Sequence, residues 1–548
     1  MSRRAEVVEM LRQFKLLYES QDAGWKSRAY EKALSSIKDF EGPIPKTASK
    51  LIAIPNIGKG IASKIEEFLS NGNVSSLKEL QKSSPPKSIA ELTKIPGVGM
   101  KKAKALFLQY KVKTLDGLIK KYDEKKIKED WLNKGIETYK LRGDQERIPL
   151  YRAFELMREP LSNIKKLKWV KNVVPAGSIR RCKATVKDMD TLVVVSPEVE
   201  IATAVKRIAK KFNASLAGEK KCMVPAGDGR FVDLYFCHPK NFGTMILFLS
   251  GSGEWNAWLR SIVKKKGWKL NQYCLQMNGR KYRYTSEEKL LIKILGHYVP
   301  PECREKPGDS YHEEDLVNLS HVKGEFHIHT TKSDGLSRPT EVVKACKKRG
   351  YSFCGFADHV GYMPWSATIS NYEKWVTIFR NNQSKLPIKT LIGAEMDVSK
   401  YGKLSIPVSL AKQLDFICIS SHQNPGENLE ERYLTAFKKL RKFKGIKILA
   451  HPINRNITKN IMMEWNDINW SKIFSAAQKE DIYLEINGTA DRLDLDWELA
   501  RMALRLKCNF VLSSDAHHAN QLDIIKMSVL FARKAGIPKE RILNCTFE

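Results

Sequence analysis

Three aspartates and a run of histidines are the residues of this 548-residue sequence whose types and spacing could do chemistry. Asp188 and Asp190 flank Met189 at the head of a strand-like run, Thr191–Val195. Residues i and i+2 of a strand face one side, so the two carboxylates present together. In Phe231-Val-Asp233-Leu-Tyr-Phe, the apolar Val232, Leu234 and Phe236 suit a core while Asp233 turns the other way. If the two strands are adjacent, all three carboxylates converge, and clustered anions of that kind call for a divalent cation. Oxygen ligands beside phosphate suit Mg²⁺ (or Mn²⁺), and two such ions can activate an attacking hydroxyl and stabilise a leaving pyrophosphate. Just upstream, Gly177, Ser178, Arg180 and Arg181 offer groups suited to a triphosphate.

The histidines point to a different metal chemistry. His327-Ile-His329 lies on a strand-like segment and aims both imidazoles one way. Asp334, His359, Glu395, His422, His451, Asp515 and His517 follow, nearly all at the end of a β-like run. Active-site residues of α/β barrels collect at the carboxyl ends of strands. One such histidine is more often a satisfied core residue, but six at repeated strand ends with three acids are not. Nine mixed ligands exceed one ion's shell and predict two or three ions. Imidazole favours Zn²⁺, Mn²⁺ or Fe²⁺ over Mg²⁺.

Two kinds of scaffold must position these groups. Leu51-Ile-Ala-Ile-Pro-Asn-Ile-Gly58-Lys-Gly60 and Leu92-Thr-Lys-Ile-Pro-Gly97-Val-Gly99 are one internal repeat. Each reads as helix, glycine hairpin, helix, the helix-hairpin-helix signature, in which backbone N–H groups and a helix N-terminus meet a phosphate. Residues 170–240 turn β-rich. Val299–Ser310, punctuated by Pro and Gly, reads as a linker. Beyond it, short β runs (Glu325–His329, Phe353–Ala357, Thr390–Ile392, Phe416–Ser420, Lys447–Ala450, Tyr483–Ile486, Phe510–Ser513) alternate with helices and predict an α/β barrel-like domain.

Composition narrows the partners. Lys and Arg number 94 against 61 Asp and Glu, net +33. Residues 1–319 hold 60 basic and 37 acidic side chains (+23), the remainder 34 and 24 (+10). The excess suggests a polyanion, most simply nucleic acid bound through its backbone. Only three of eleven histidines precede residue 320. The front reads as a basic binder and the back as a metal protein. Ten scattered cysteines without a CxxC pair suit reduced thiols. No run is long enough to span a bilayer and no signal-peptide pattern opens the chain, so no membrane association and a cytoplasmic location, nucleoid-associated in a prokaryote, are expected.

Residues 1–300 resemble a family X DNA polymerase of the polymerase beta type. The resemblance rests on Gly177-Ser-x-Arg-Arg with Asp188-x-Asp190 and Asp233, on the two hairpins, and on Phe248-Leu-Ser-Gly251-Ser-Gly-Glu-Trp-Asn256-Ala-Trp-Leu-Arg260. Residues 320–548 resemble the polymerase-and-histidinol-phosphatase (PHP) domain, with all nine ligands of that family's set in place. The fusion is the bacterial and archaeal arrangement. It implies a helical lyase-like domain with the first hairpin (1–85), fingers with the second (86–147), an α+β nucleotidyltransferase palm (148–240), a thumb (241–300), a linker (301–319) and an α/β barrel-like PHP domain (320–548).

The same resemblance implies that Gly177, Ser178 and Arg181 bind a dNTP, that Phe248, Leu249 and Gly251 lie against its sugar, and that Asn256 reaches its minor-groove side. Arg260 would touch the template, and Gly58, Gly60, Gly97 and Gly99 the DNA backbone. Lys64 stands where this type has a Schiff-base nucleophile for a 5′-deoxyribose phosphate, with Lys26, Lys32 and Lys59 as neighbours able to lower its pKa. Three departures are evident: the usual aromatic pair is aromatic-aliphatic at Phe248-Leu249 and lacks a phenol hydroxyl, Gln272 replaces an acid, and Gly60 a basic phosphate ligand. The expected activity is gap filling in DNA repair, with a PHP-domain 3′–5′ exonuclease that, by resemblance, extends to 3′-phosphatase and abasic-site cleavage. The expected partner is gapped or nicked DNA with a 5′-phosphate, and the expected state a monomer. The competing reading is a DNA-binding scaffold with an inactive palm that delivers a phosphoesterase to damage.

Overall fold

The computed structural model describes residues 3–20, 24–40, 44–83, 87–309, 311–361, 363–404, 407–422, 428–457 and 468–548. The chain forms two compact units, Met1–Gln145 and Glu146–Glu548. The expected boundary at 147/148 lies close to this division. The one at 85/86 and the linker's Ser310 lie outside the described residues.

The first unit is helical, and its two repeats share one burial pattern. Leu51, Ile54 and Ile57 are buried in the first, Leu92, Ile95 and Val98 in the second, while Gly58, Gly60, Gly97 and Gly99 are exposed. Ile57 N–H donates to the Ile54 carbonyl at 3.1 Å and Val98 N–H to Ile95 at 3.0 Å. The turn needs a left-handed residue, supplied by Gly97 (φ +83°) in one copy and Asn56 (φ +62°) in the other. Asn is among the few residues with a side chain that tolerate this region. Each hairpin feeds a helix, Lys59–Asn71 or Met100–Tyr110, capped by Gly58 or Gly99 without a side-chain bond.

The second unit opens with a five-stranded sheet in the order Val170–Pro175, Met189–Val195, Arg230–Cys237, Lys221–Gly227, Leu216–Ala217. Met189–Val195 and Arg230–Cys237 run parallel; the other pairs are antiparallel. Val193, Val195, Val232, Leu234 and Phe236 bury one face with Leu150, Ala153 and Met157 of the Leu150–Lys165 helix. The helices Phe242–Ser250, Gly253–Lys265 and Glu287–Leu295 follow.

Beyond residue 320, strands and helices alternate as the sequence predicts. Gly324–Glu325, Phe353–Phe356 and Lys389–Ile392 form one parallel sheet. Glu395–Asp397, Phe416–Ser420, Ile446–Leu449, Ile482–Asn487 and Phe510–Ser513 form a second. Gly393-Ala394 interrupts what is otherwise one stave, and a parallel bridge from Ile328 to Ala516 joins the first strand to the last. The sheets therefore close into a ring, which brings every strand's carboxyl end to one mouth.

The stretch read as a linker is instead a buried strap. Val299, Cys303 and Leu316 pack with Trp255, Leu259 and Leu290 in one apolar cluster. Arg304, fully buried, gives two bonds to the Val299 carbonyl (2.9 and 2.6 Å) and one to Glu287 (2.6 Å). Trp255 Nε1 donates to the Asp309 carbonyl at 3.0 Å. Pro and Gly correctly mark irregular backbone here, but irregular backbone with its polar groups satisfied is buried as readily as a helix.

Candidate active sites

The sheet register assembles the first site. Asp190 is the parallel partner of Asp233 on the neighbouring strand, and Met189 and Val232, one residue earlier, are both buried. Adjacent partners in a parallel pair share a face, so Asp190 and Asp233 project together, with exposed Asp188 two residues before. Asp233 is buried. The short Gly177–Arg180 helix sits against them, since the Ala176 N–H donates to the Asp190 carbonyl at 2.8 Å. Gly177 has φ +59°, and a Cβ there would run into the Asp190 carboxylate, so only glycine fits.

The two arginines behind this turn separate in role. Arg180 is held by Glu287 through paired bonds of 3.0 and 2.7 Å and by Ser250 Oγ at 2.9 Å. The sequence offers Arg180 to a triphosphate; the structure commits it to a structural ion pair. Arg181 donates from Nη1 to the Ser250 carbonyl at 2.7 Å and more loosely from Nε to Glu305 at 3.3 Å. Burial works against the Glu287 carboxylate, but Arg304 and Arg180 win and hold its pKa at about 2.

Phe248 is exposed and Leu249 half-buried at the end of their helix, and Arg260 is exposed on the next. Asn256 is buried, its amide donating to the Phe248 carbonyl at 3.0 Å and lying against Gly251, where a Cβ would collide with it. Gln272 is half-buried. In the first unit, Lys64 Nζ lies 5.2 Å from the Phe14 ring centre and 5.7 Å from that of Tyr30. Burial first, then Lys26, lowers its pKa, against Glu67.

All nine histidines and acids read from the second half meet at the ring mouth. They form interlocking groups whose ligand atoms lie within 4.8 Å of one another: His329–Asp334–His359–His517, His327–His451–Asp515, His327–His329–Glu395 and His359–Glu395–His422. Glu395 is the hub, 3.2 Å from His327, 3.3 Å from His359, 2.9 Å from His451 and 3.5 Å from His422. Burial would raise its carboxyl, but His359, His327 and His422 hold it well below the usual range. His451 (φ +27°) and Asp515 (φ +49°) sit in left-handed backbone, a strain such sites tolerate.

The donor set fits metal ions. The Nε2 atoms of His327 and His329 face each other at 3.1 Å, and the buried Nδ1 atoms of His329 and His451 have no hydrogen-bond partner among the described residues. Imidazole nitrogens crowded onto one point beside carboxylates, and buried nitrogens left unbonded, form a donor set suited to a cation. Asp334 and His517 keep 28% and 35% side-chain exposure, which sets the open side of the cluster there.

Residues outside the nine complete the site. Glu485 accepts from His327 Nδ1 at 2.6 Å and fixes its ring, as the outer partner of a metal-ligating histidine does. Asp397 holds His422 at both Nδ1 (3.1 Å) and the backbone N–H (2.8 Å). Both were detectable: Asp397 is i+2 from Glu395, and Glu485 is an acid inside the apolar strand-like run Tyr483–Ile486. The exposed Trp365 stands edge-on to His359 and His422, ring centres 6.2 and 6.4 Å away.

Known families cover three stretches of the chain: a helix-hairpin-helix domain matches residues 2–74, a DNA polymerase beta thumb residues 245–305, and a PHP domain residues 325–489. The DNA polymerase/3'-5' exonuclease PolX of Bacillus subtilis (strain 168) is 26% identical over 543 residues, 95% of this chain and 94% of that protein. Repair DNA polymerase X of African swine fever virus (isolate Warthog/Namibia/Wart80/1980) is 30% identical over 142 residues, 24% of this chain and 82% of its own. DNA polymerase lambda of Rattus norvegicus is 23% identical over 322 residues, 53% of this chain and 54% of its own. With thumb, hairpin domain and PHP domain in one chain, and a relative matching nearly end to end, the chain belongs to the family X DNA polymerases that carry a C-terminal PHP domain.

Proposed function

We infer that the protein fills short gaps in DNA during repair and trims 3′ ends with its PHP domain. The observation that supports this reading is that side chains suited to both reactions lie together: Asp190 is the strand partner of Asp233 beside the Gly177 turn, and nine candidate ligands group in the ring mouth. An inactive-palm scaffold would have no use for the first.

Divalent ions, held by Asp188, Asp190 and Asp233 in the palm and two or three by the histidine cluster, would supply Lewis acidity toward phosphoryl oxygens and the attacking group. Asp233 accepts the primer 3′-hydroxyl proton at a carboxylate oxygen. Gly177 and Ser178 place backbone N–H groups on the triphosphate, and Arg181 adds a guanidinium. Asn256 braces the Phe248–Gly251 turn under the sugar, and exposed Arg260 takes the template strand. Mg²⁺ suits the palm; Mn²⁺, Zn²⁺ or Fe²⁺ suits the imidazole-rich cluster.

At the second site, Asp334 and His517 admit a 3′ end, and Trp365 offers its ring to the terminal base. A 3′-phosphate or an abasic site presents the same phosphoester to the cluster. The hairpin glycines bind DNA backbone, and the first repeat, with Lys64 nearby, favours a gap with a 5′-phosphate. Lys64 is the candidate lyase nucleophile. The protein works as a monomer in the cytoplasm, on nucleoid DNA in a prokaryote.

The test is extension and 3′-end digestion on a one-nucleotide gap, with each metal in turn, for the parent, Asp190→Ala and His329→Ala. Parent extension abolished by Asp190→Ala supports the polymerase. A parent that digests ends but never extends them would return the scaffold reading.

A further inference from the structure

The PHP domain reaches into the foundation of the polymerase site. Its Ile525–Ala535 helix packs Met527 and Leu530 against the palm core. Near the end of that helix Lys534 has no exposed side chain. Its ammonium donates to the Arg181 carbonyl at 2.7 Å, to Glu305 Oε1 at 2.7 Å and to the Glu302 carbonyl at 3.3 Å. Arg501, on the Trp497–Arg505 helix, fixes this corner from the PHP side, donating to the Lys534 carbonyl at 3.0 Å and to Asp309 at 2.9 Å.

The contacts around Glu305 are unequal. Lys534 reaches its Oε1 at 2.7 Å, Arg181 Nε shares that oxygen at 3.3 Å, and Lys183 takes the other at 3.2 Å. A charge-assisted bond is strong near 2.7–2.9 Å and weakens with distance. Lys534 therefore takes the larger share of Glu305, and Arg181 keeps the smaller. A buried carboxylate robbed of one cation draws harder on the cations that remain.

We propose that Lys534 is a positioning residue for the polymerase reaction: by neutralising Glu305 and pinning the Arg181 carbonyl, it keeps the Arg181 guanidinium available to the phosphates of the incoming nucleotide. The PHP domain is thus a wall of the polymerase site as well as a second active site. This rests on Arg181 binding the triphosphate, as proposed above. It also explains why the strap at 299–316 is buried: it carries Glu302, Glu305 and Asp309 between the two domains.

The experiment measures KM for dNTP and kcat on gapped DNA, and 3′-end digestion with Mn²⁺ in parallel, using the full chain. Lys534→Met should raise KM about tenfold, the ratio that roughly 1.4 kcal/mol represents, and keep kcat at saturating dNTP and the digestion rate. Glu305→Gln should lower KM, because it removes the carboxylate that competes for Arg181 Nε and leaves the guanidinium only its Nη1 bond to the Ser250 carbonyl. Lys534→Met combined with Glu305→Gln should return KM to near the parent value. An unchanged KM in Lys534→Met overturns the proposal. So does a fall in kcat and digestion together, or a double variant worse than Lys534→Met, since either marks a mere structural prop. If Lys534→Met does not fold, Glu305→Gln decides alone, and an unchanged or raised KM refutes. Arg181→Ala separates the two levels. If it leaves KM unaltered, the triphosphate role of Arg181 has failed. If it raises KM while Lys534→Met does not, only the role of Lys534 has failed.

Discussion

Replacing Glu287 with glutamine removes a carboxylate that Arg180 and Arg304 share. Its side chain is 5% exposed, Arg304 is 0% and Arg180 19%. Two independent routes give the cost. A carboxyl held at about 2 instead of an ordinary 4.5 contributes about 3 kcal/mol at neutral pH. Breaking a buried ion pair by removing one partner costs about 3–5 kcal/mol. The two agree, so Glu287→Gln should lose about 3–4 kcal/mol at pH 7.5. The sign of the pH dependence follows from the depressed pKa. The stabilisation is complete above the unfolded value near 4.5 and is lost as pH falls through 4.5 toward 2. The assay is urea unfolding followed by tryptophan fluorescence, to which Trp255, beside Arg304 at 5.3 Å, contributes. The gap in midpoint between parent and Glu287→Gln should be widest above pH 5 and close steadily below it. Equal midpoints at pH 7.5, or a gap that persists unchanged at pH 3, would refute the reasoning.

The two catalytic sites should separate by point mutation: Asp190→Ala loses extension and keeps Mn²⁺-dependent digestion, His329→Ala does the reverse, and digestion surviving in His329→Ala would move the nuclease elsewhere. Because the Lys64 pKa is lowered, its amine is neutral at a lower pH than an ordinary lysine's. Borohydride trapping of a 5′-deoxyribose phosphate end should therefore extend to lower pH than trapping by an ordinary lysine and vanish in Lys64→Ala; equal trapping in that variant would exclude this lysine. DNA affinity should fall with salt, each phosphate neutralised adding about 0.9 to the log–log slope on duplex, and a flat response would count against the hairpins. Trp365→Ala should slow removal of an unpaired 3′ nucleotide severalfold while leaving extension alone, and equal digestion rates would sink the stacking role.

Much of both sites was legible because it rests on short-range geometry. The i, i+2 alternation of a strand places Asp188 with Asp190 and His327 with His329 before any fold is known. The repeated Ile-Pro-x-φ-Gly turn shows itself by being written twice, even where Asn56 stands for Gly97. What escaped depends on contacts distant in sequence. The sequence does not distinguish Arg180, committed to Glu287 107 residues away, from Arg181 beside it. Glu485 reads as a lone acid in a strand until His327, 158 residues earlier, lies 2.6 Å away. The strap is hard to read for the same reason: Pro, Gly and charge look solvated, yet three of its acids have buried partners supplied by another domain. Glu302 pairs with Arg533, Glu305 with Lys534, and Asp309 with Arg501. Three consecutive acid–base matches across one boundary make that boundary costly to open, since each parting would leave a buried charge unpaired. The two chemistries are therefore independent at their reacting atoms and joined at their supports. Truncation near residue 300 should damage polymerisation where His329→Ala does not.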